Sequence, residues 1–362
     1  MVNFLSVGTI DPVFGMSPNQ AGDRHEADLD YCYEAVQDVS RTFALTVSEL
    51  DEPMARDICV GYLLCRIADT IEDAGHVPPA EQRRLLDTYS RALDPDDGAT
   101  IDEFRTAVDG WIPEDPDDDW SVVARTPRVY RTFEELDPES KRAIRPPVRE
   151  LVDGMSMFVE RYAEQGGLRL QTFEELEEYC WYAAGTVGTL VTGLLSRNVD
   201  DSVRDTLQNN ARSFAMLLQL VNVSKDVATD YIEENNVYIP QELLEEAELD
   251  SEDIPDEDGE EFAPVIHQVV DRADGYLDDA QRWLEAMPEI RGNTLSAWAI
   301  PFLLAVGTIR ELEQRPEDVI EEGNVKVSRS EVHALFSLFA GEENPSLEEL
   351  RTKMRKRPLD EY

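Results

Sequence analysis

Apolar residues recur at the spacing of an α-helix along most of this 362-residue chain. The pattern predicts helices over residues 28–43, 53–73, 80–93, 122–136, 138–165, 172–196, 200–231, 240–249, 264–287, 293–314 and 328–339. We find no internal repeat and no stretch that alternates apolar and polar residues as a strand does. The sequence therefore predicts an all-α, single-domain protein whose helices pack around a central apolar cavity.

Segments without this periodicity mark the predicted boundaries. Residues 1–20 are interrupted by glycine and proline, which predicts a loose N-terminal lead-in to a helical domain over residues 21–340. Residues 341–362 predict a charged C-terminal tail. Within the domain, residues 94–119 predict solvated loops on either side of one short helix, and the acidic residues 250–261 predict an exposed loop.

One predicted helix carries a polar stripe within an otherwise apolar segment. Asp69, Glu72 and Asp73 are spaced i, i+3 and i+4, so they share one helix face. Tyr62 and Arg66 continue that stripe towards the start of the helix, and leucine and isoleucine surround them. We therefore expect a half-buried stripe that binds a metal. The alternative is a solvated helix face with an Arg–Asp ion pair.

A second predicted helix repeats this design. Asp226 and Asp230 are spaced i and i+4, and Gln219 and Asn222 continue their stripe backwards along the helix. Lys225 adjoins the stripe, where its ammonium would act as a point charge towards a diphosphate. A surface ion pair is the alternative interpretation of this cluster.

The two clusters together predict a particular ligand. Carboxylates on one helix face repel each other by a few tenths of a kcal/mol per pair, and two such faces across a cavity repel more. Mg²⁺ binds oxygen ligands and is commonly shared with a substrate phosphate, so it would relieve this repulsion. We therefore predict a site that binds a diphosphate through Mg²⁺. Ser40 and Arg41, followed by Phe43, offer a hydroxyl and a guanidinium suited to phosphate oxygens.

Two glycines, Gly185 and Gly188, lie in a predicted helix shortly after Tyr179. Glycine within a helix costs about 1 kcal/mol relative to alanine, so its presence needs a reason. A smooth wall or a local helix break beside a long apolar ligand is one explanation, and close packing of two helices is the other. Tyr179 is either a proton shuttle or a half-buried core tyrosine.

Acidic residues outnumber basic ones 77 to 33, which gives a formal net charge of −44. A compact protein this acidic repels itself in dilute buffer, and molar salt screens that repulsion. We therefore predict a salt-adapted cytoplasmic protein; an acidic protein with a cation-rich partner is the alternative. The sequence shows no basic face for nucleic acid, no CxxC pair and no zinc signature.

The sequence also bears on membrane association. The N-terminus has neither the basic start nor the apolar core of a signal peptide. The longest apolar run, residues 297–309, contains Pro301 and is too short to span a bilayer. We therefore expect no transmembrane helix, and loose peripheral attachment for release of a lipid product stays open. We treat the protein as a monomer.

Taken together, five segments resemble the squalene/phytoene synthase family of head-to-head prenyl synthases. They are residues 40–43, 62–73, 179–188, 219–230 and 237–240, and they occur in the family's order and spacing. The resemblance extends over residues 28–335. Within the family, the third segment and residues 298–301 and 323–327 are more similar to the squalene-forming type.

This resemblance implies an isoprenoid-synthase fold, two molecules of farnesyl diphosphate, Mg²⁺ and NADPH. It implies metal binding by Asp69, Glu72, Asp73, Asp226 and Asp230. It implies substrate contacts from Ser40, Arg41, Phe43, Gln219, Asn222, Lys225, Val187 and Gly188. It implies catalytic roles for Tyr179, Arg66 and Tyr62, contacts to the NADPH phosphate from Lys326 and Arg329, and a wall that includes Leu190 and Leu218.

The sequence departs from the family at two positions. Lys225 stands where many relatives carry arginine, and Asn236 stands where relatives often have arginine, so one diphosphate contact is weakened and another is missing or supplied elsewhere. Three other functions stay open. They are phytoene or dehydrosqualene synthesis without NADPH, a terpene cyclase, and a non-catalytic protein that binds isoprenoids.

Overall fold

The structure is a computed structural model that describes residues 18–252, 254, 258–340 and 346–362, without the side chains of residues 18–23, 41, 42 and 340. Within this part the chain forms nineteen α-helices. They are α1 Pro18–Val39, α2 Arg41–Ser48, α3 Met54–Glu72, α4 Pro79–Leu93, α5 Ile101–Val108, α6 Asp118–Ala124, α7 Thr126–Glu134, α8 Pro138–Arg161, α9 Phe173–Cys180, α10 Thr186–Leu195, α11 Asp201–Lys225, α12 Val227–Glu234, α13 Gln241–Glu246, α14 Gly259–Asp274, α15 Leu277–Glu285, α16 Leu295–Gln314, α17 Asp318–Glu321, α18 Arg329–Ala340 and α19 Leu347–Lys356. The described residues contain no strand, only an isolated bridge between Arg169 and Val237, so the all-α prediction is confirmed.

Helices α3 and α11 lie at the centre of the molecule and position the site. Helix α3 contacts α1, α4, α6, α7, α8 and α10, while α11 contacts α10, α14, α15 and α16. Leu63 and Leu64 on α3 and Leu217 and Leu220 on α11 are fully buried in one continuous core. Burying one such side chain stabilises the fold by about 1.5–3 kcal/mol. The polar stripes on these two helices therefore stand on a rigid scaffold.

Two long predicted helices are interrupted in the structure, and both interruptions fall at candidate site residues. The helix predicted over residues 28–43 divides at Ser40, whose extended backbone starts α2 and whose Oγ accepts a hydrogen bond from the Phe43 N–H at 3.2 Å. A serine that caps a helix in this way ends the preceding one. The helix predicted over residues 200–231 divides at Asp226, which ends α11 and precedes α12.

Three other predicted helices also divide. Residues 122–136 form α6 and α7, which meet at Arg125, and residues 264–287 form α14 and α15, with Gly275 between them. In the helix predicted over residues 172–196, the segment Trp181–Gly185 between α9 and α10 is π-helical. A π-helical turn inserts an extra residue into the helix and is frequent at functional sites.

The long apolar helix α16 is part of the core. Helix α16 continues through Pro301 and is long and apolar enough to cross a membrane. However, 72% of its 18-residue apolar stretch is buried inside the molecule. Its Arg310 is 1% exposed and donates hydrogen bonds to the buried Glu331 on α18 at 2.8 and 2.9 Å. The same guanidinium donates to the Met354 carbonyl of α19 at 2.7 Å. These contacts fix α18 and α19 against the core.

Helical structure extends further towards both ends of the chain than the sequence analysis predicted. Helix α1 begins at Pro18, within the predicted lead-in, and residues 1–17 of that lead-in lie outside the described residues. The charged segment 341–362 contains α19, for which the sequence indicated no element. Ser346 caps this helix, and its Leu350 and Met354 are buried against the core. Leu347, Leu350 and Met354 are the apolar residues of this ten-residue helix, and three such positions are too few for periodicity to reveal.

Candidate active site

A cavity of about 360 Å³ lies between α2, α3, α10, α11 and α16. It brings together many residues that the sequence singled out, and its lining includes Ser40, Phe43, Tyr62, Arg66, Asp69, Val187, Gly188, Gln219 and Asn222. The side chain of Arg41, the first residue of α2, lies outside the described part of the structure. The cavity therefore joins both polar stripes to one apolar space.

The interior of this cavity is predominantly aromatic and aliphatic. Phe43 stacks on Tyr62 with ring centroids 3.9 Å apart, and Phe214 stacks on Trp283 with centroids 4.5 Å apart. Leu218 also lines the cavity. Leu190 does not; it is buried against Gly61 of α3, so its expected place in the wall is wrong. Such a lining suits a long hydrocarbon and excludes water.

The polar stripe on α3 is held by a partner that the sequence did not reveal. Arg66 forms an ion pair with Asp69, and its Nε and Nη2 donate to the two carboxylate oxygens of Asp119 at 2.6 and 3.0 Å. Asp119 lies in an acidic segment predicted as a solvated loop, where nothing in the sequence separates it from its acidic neighbours. Burial raises the pKa of Asp69, and Arg66 partly offsets this.

The other two carboxylates of the stripe face a second, smaller cavity. Glu72 and Asp73 line it together with Glu234 and Asn236. Burial raises the pKa of both Glu72 and Asp73, and the nearby Asp69 and Glu234 raise it further. One oxygen of Glu72, Oε1, is buried without a hydrogen-bond partner among the described residues. Three carboxylates on α3 thus lie between two cavities and are only partly neutralised.

The second cluster lies where α11 ends and α12 begins. The Lys225 ammonium forms an ion pair with Asp226, the residue at which the helix breaks. Burial raises the pKa of Asp230 to about 8, with further contributions from Glu234 and Asp226. Burial also raises the pKa of Glu234, followed by the effect of Asp69 on α3. Glu234, which the sequence analysis missed, therefore connects the two clusters electrostatically.

Tyr179 belongs to a hydrogen-bond network between the clusters. Its hydroxyl lies 3.4 Å from Glu72 Oε2 and 3.3 Å from the hydroxyl of Tyr238. Asn236 donates to the Tyr238 hydroxyl at 3.1 Å and accepts from the Leu168 N–H at 2.9 Å. Burial raises the pKa of Tyr179 well above its usual range, so this hydroxyl is protonated at neutral pH. Asn236, which stands where relatives often have arginine, therefore hydrogen-bonds to Tyr238 and keeps that residue beside Tyr179.

The glycines after Tyr179 serve both purposes that the sequence left open. Gly188 lines the cavity, and a Cβ atom there would lie 3.0 Å from the Ala211 carbonyl oxygen and from the Ala215 Cβ of α11. A Cβ atom at Gly185 would lie 2.4 Å from the ring of Trp181. Gly188, in α10, thus combines close helix packing with a smooth backbone surface at the cavity. Gly185 ends the π-helical segment and is covered by Trp181 of that same segment.

The segment that contains Lys326 runs beside the second cluster. The Val325 N–H donates to the Lys225 carbonyl at 3.1 Å, and the Thr229 hydroxyl donates to the Gly323 carbonyl at 2.9 Å. Lys326 and Arg329 are both exposed and do not line the large cavity. The structure therefore brings this segment next to the site but leaves both basic side chains at the surface.

The donor set suits Mg²⁺, although no three His, Cys, Asp or Glu side chains of the described residues stand in a metal-binding arrangement. Carboxylate oxygens are the ligands that Mg²⁺ prefers. Burial raises the pKa of Glu72, Asp73 and Asp230, and neighbouring carboxylates raise it further. Glu72 Oε1, which has no hydrogen-bond partner among the described residues, offers a free acceptor. A hard divalent cation would correct both features.

The family model for squalene/phytoene synthase matches residues 36–331. Botryococcus squalene synthase from Botryococcus braunii is 28% identical over 319 residues, which cover 85% of this chain. This chain spans 62% of the length of that relative.

Two solved structures share the fold. The complex of TcSQS with the ligand BPH1237 has a TM-score of 0.73 at 23% identity and covers 92% of this chain and 99% of its own. A dehydrosqualene synthase in complex with ligand has a TM-score of 0.57 at 17% identity, with the same coverage of both chains. At these identities the structural likeness establishes the fold alone. The family model, which matches most of the chain, establishes that this protein belongs to the squalene/phytoene synthase family.

Proposed function

We propose that the protein joins two molecules of farnesyl diphosphate head to head and then reduces the product, presqualene diphosphate, to squalene. One observation carries this proposal: α3, which carries Asp69, and α11, which ends at the second acidic cluster, both contribute polar side chains to a single apolar cavity. A diphosphate head and a hydrocarbon tail require these two environments next to each other. The sequence relationship to squalene synthases supports the same reaction.

The diphosphate groups would lie at the polar end of the cavity. Arg66 and Asn222 are in its lining, and Lys225 is adjacent, so they are placed to donate hydrogen bonds to phosphate oxygens. Ser40 adds a hydroxyl, which now caps α2. Mg²⁺ bound to the carboxylates of both clusters would neutralise the diphosphate and ease its departure.

The apolar wall would control the fate of the allylic cation. When the bond from C1 to the diphosphate oxygen breaks, water in the cavity would convert the cation to an alcohol. Phe43, Val187 and Leu218 line the space that the second substrate must share, so a farnesyl chain packed against them would displace water from it. The double bond of the second farnesyl chain is then the available nucleophile.

Tyr179 would take part in loss of the proton that closes the cyclopropane ring of presqualene diphosphate. Its hydroxyl is held by Glu72 and Tyr238 and is protonated, so it would pass a proton onward rather than act as a permanent anion. A departing diphosphate is the strongest base that the reaction itself supplies. Tyr179 would relay the proton towards it.

In the second half-reaction the remaining carbon–diphosphate bond would ionise, with its electron pair leaving on the diphosphate. The resulting cation would rearrange, and a hydride supplied by NADPH would then add to it and give squalene and NADP⁺. Lys326 and Arg329 are our candidates for the NADPH phosphate, because their segment hydrogen-bonds to the end of α11. Both side chains are exposed, however, and neither lines the large cavity. This favours a second candidate function that needs no NADPH, the synthesis of dehydrosqualene or phytoene. The likeness to a dehydrosqualene synthase fold keeps this alternative relevant.

A product assay separates these functions. The protein would be incubated in molar KCl with farnesyl diphosphate and Mg²⁺, with and without NADPH, and the organic extract analysed by mass spectrometry. Squalene that appears only with both Mg²⁺ and NADPH supports the main proposal. A dehydrosqualene-type product without NADPH, or turnover only with geranylgeranyl diphosphate, supports the alternative. Undiminished turnover in EDTA would remove Mg²⁺ from the mechanism.

A further inference from the structure

A second charged site lies at a corner formed by the start of α8, the end of α10 and the start of α11. Arg142, Arg197 and Arg204 line a surface cavity there, together with Ser196 and a single acidic residue, Glu139. The cavity lining itself thus has three guanidinium groups and one carboxylate, whereas in the whole chain acidic residues outnumber basic ones 77 to 33. Two further carboxylates, Asp137 and Asp201, adjoin the lining as partners of Arg197 and Arg204. No residue of this arginine corner lines the large cavity, so the corner is separate from the candidate active site.

Arg197 is the central residue of the arginine corner and is incompletely paired. Its side chain is only 8% exposed, and its Nη1 donates to Ser140 Oγ at 2.9 Å and lies 3.4 Å from Asp137 Oδ1. Its Nε and Nη2 are buried without a hydrogen-bond partner among the described residues, and so is Ser196 Oγ. Buried donors are rarely left unpaired, and an ion or a water that belongs there is a common reason.

The surrounding charges leave Arg197 short of acceptors. Burial lowers the pKa of Arg197, and the guanidinium of Arg291 lowers it further. Arg197 and Arg291 each lie 3.4 Å from Asp137, and Arg291 also lies 3.7 Å from the buried Asp57. The two guanidinium groups therefore share Asp137, while Asp57, Asp137 and Glu139 partly offset the effect of Arg291 on the pKa of Arg197. Arg204 is paired with Asp201 at 2.6 Å, whereas Arg142 is exposed and makes no ion pair with any described residue.

We propose that the arginine corner binds a small oxyanion, phosphate or diphosphate, through Arg197, Ser196, Arg142 and Arg204. The unpaired groups that point to this class are the two guanidinium N–H groups of Arg197 and the hydroxyl of Ser196, which call for an acceptor. Guanidinium groups match the spacing of phosphate oxygens and bind them in pairs, which distinguishes an oxyanion from a halide. The ligand would connect α8, α10 and α11.

Calorimetry with inorganic phosphate and with diphosphate tests the proposal. The titrations would use metal-free protein in EDTA and a fixed concentration of KCl, so that ionic strength stays constant. The test variant combines Arg142→Gln with Arg204→Gln and leaves the partly structural Arg197 in place. The matched control is Arg91→Gln, which removes an exposed arginine that is likewise paired with an aspartate, Asp97.

We expect the double variant to bind at least about tenfold more weakly than the wild type, because it loses two charge-assisted contacts. The control should bind like the wild type. The bound anion should also raise the melting temperature of the wild type and the control more than that of the double variant. Absence of binding to the wild type, or equal binding by the double variant, would overturn the proposal. The second result would also assign any observed binding to another site, including the candidate active site.

Discussion

The two acidic clusters share a residue pattern but are supported differently. On α3 the helix is continuous through Asp69, and Arg66 is held from two sides, by Asp69 and by Asp119. At the second cluster the helix breaks at Asp226, and the adjacent cation is Lys225, a single ammonium on a long flexible stem. The first cluster is therefore fixed before any ligand arrives, and the second can adjust.

This difference suggests that the two clusters have different roles in binding a diphosphate. A planar guanidinium that already binds two carboxylates has few alternative positions, whereas an ammonium can follow a ligand as it moves. We infer that α3 defines where a diphosphate sits, and that the junction of α11 and α12 adapts to it. Substitutions on the two sides should therefore have unequal effects, and the following predictions are ordered from the largest expected effect to the smallest.

Asp69→Asn should lower turnover by roughly 1,000-fold, because it removes a carboxylate charge on the rigid side while it keeps the side-chain shape. Turnover of farnesyl diphosphate is measured alongside circular dichroism, which should stay unchanged. The control is Asp102→Asn, which changes an exposed aspartate in the first turn of α5. Near-full activity of Asp69→Asn would show that this carboxylate does not hold Mg²⁺.

Tyr179→Phe should slow formation of presqualene diphosphate by about 100-fold, the scale of a lost proton-transfer group. The fold should tolerate the change, because only the hydroxyl between the two clusters is removed. Rapid-quench analysis of the first half-reaction provides the measurement. Tyr231→Phe serves as a control, since its hydroxyl binds the Glu252 carbonyl outside the network. An unchanged first half-reaction would exclude Tyr179 from the mechanism.

An exchange of the two basic residues addresses the comparison directly. Arg66→Lys should raise KM and lower kcat/KM by about tenfold, because lysine cannot bind both oxygens of Asp119 and Asp69 as well. Lys225→Arg should change kcat/KM by no more than about threefold, since the second cluster adapts. Equal losses in both variants would contradict the division into a fixed side and an adjustable side.

The pH dependence of stability should be visible in metal-free protein and small in the presence of Mg²⁺. The pKa of Asp230 in the folded chain is about 8, above the ordinary value, so the folded state binds more protons than the unfolded state. Its stabilising contribution is complete below about pH 4 and is lost as the pH rises through 8. Over this range the wild type should lose a few degrees more in melting temperature than Asp230→Asn. Parallel curves for the two proteins in EDTA would contradict this assignment.

The sequence revealed the rigid side of the site better than the adaptable side. Periodicity identified α3 and its stripe, because an uninterrupted amphipathic helix is the pattern that such reasoning detects best. The break at Asp226 was not predicted, and the π-helical turn at Trp181–Gly185 was anticipated only as a local helix break, one of several explanations for the two glycines. Both depend on how neighbouring helices pack, and local apolar spacing contains no record of that packing.

Residues that act through distant partners were also hidden. Asp119 and Glu234 belong to acidic segments, and only the folded chain shows that one grips Arg66 and the other connects the two clusters. Asn236 attracted attention as a missing arginine, yet its contacts to Tyr238 and to the Leu168 backbone define a different role. The sequence gives the type of each of these side chains, but only the folded structure shows which residue each one contacts.

The buried pair of Arg310 and Glu331 has a practical consequence for anyone who wishes to shorten this protein. Besides the bonds from Arg310 to Glu311, the pair depends on the main chain near the C-terminus, where Arg310 donates to the Met354 carbonyl and Glu331 accepts from the Leu359 N–H. A truncation before Met354 would leave two charged groups under-bonded in the interior, at about 1–3 kcal/mol for each missing contact. Trimming for crystallisation, or placement of a protease-cleavable tag, should therefore stop beyond Leu359, although the residues there look dispensable.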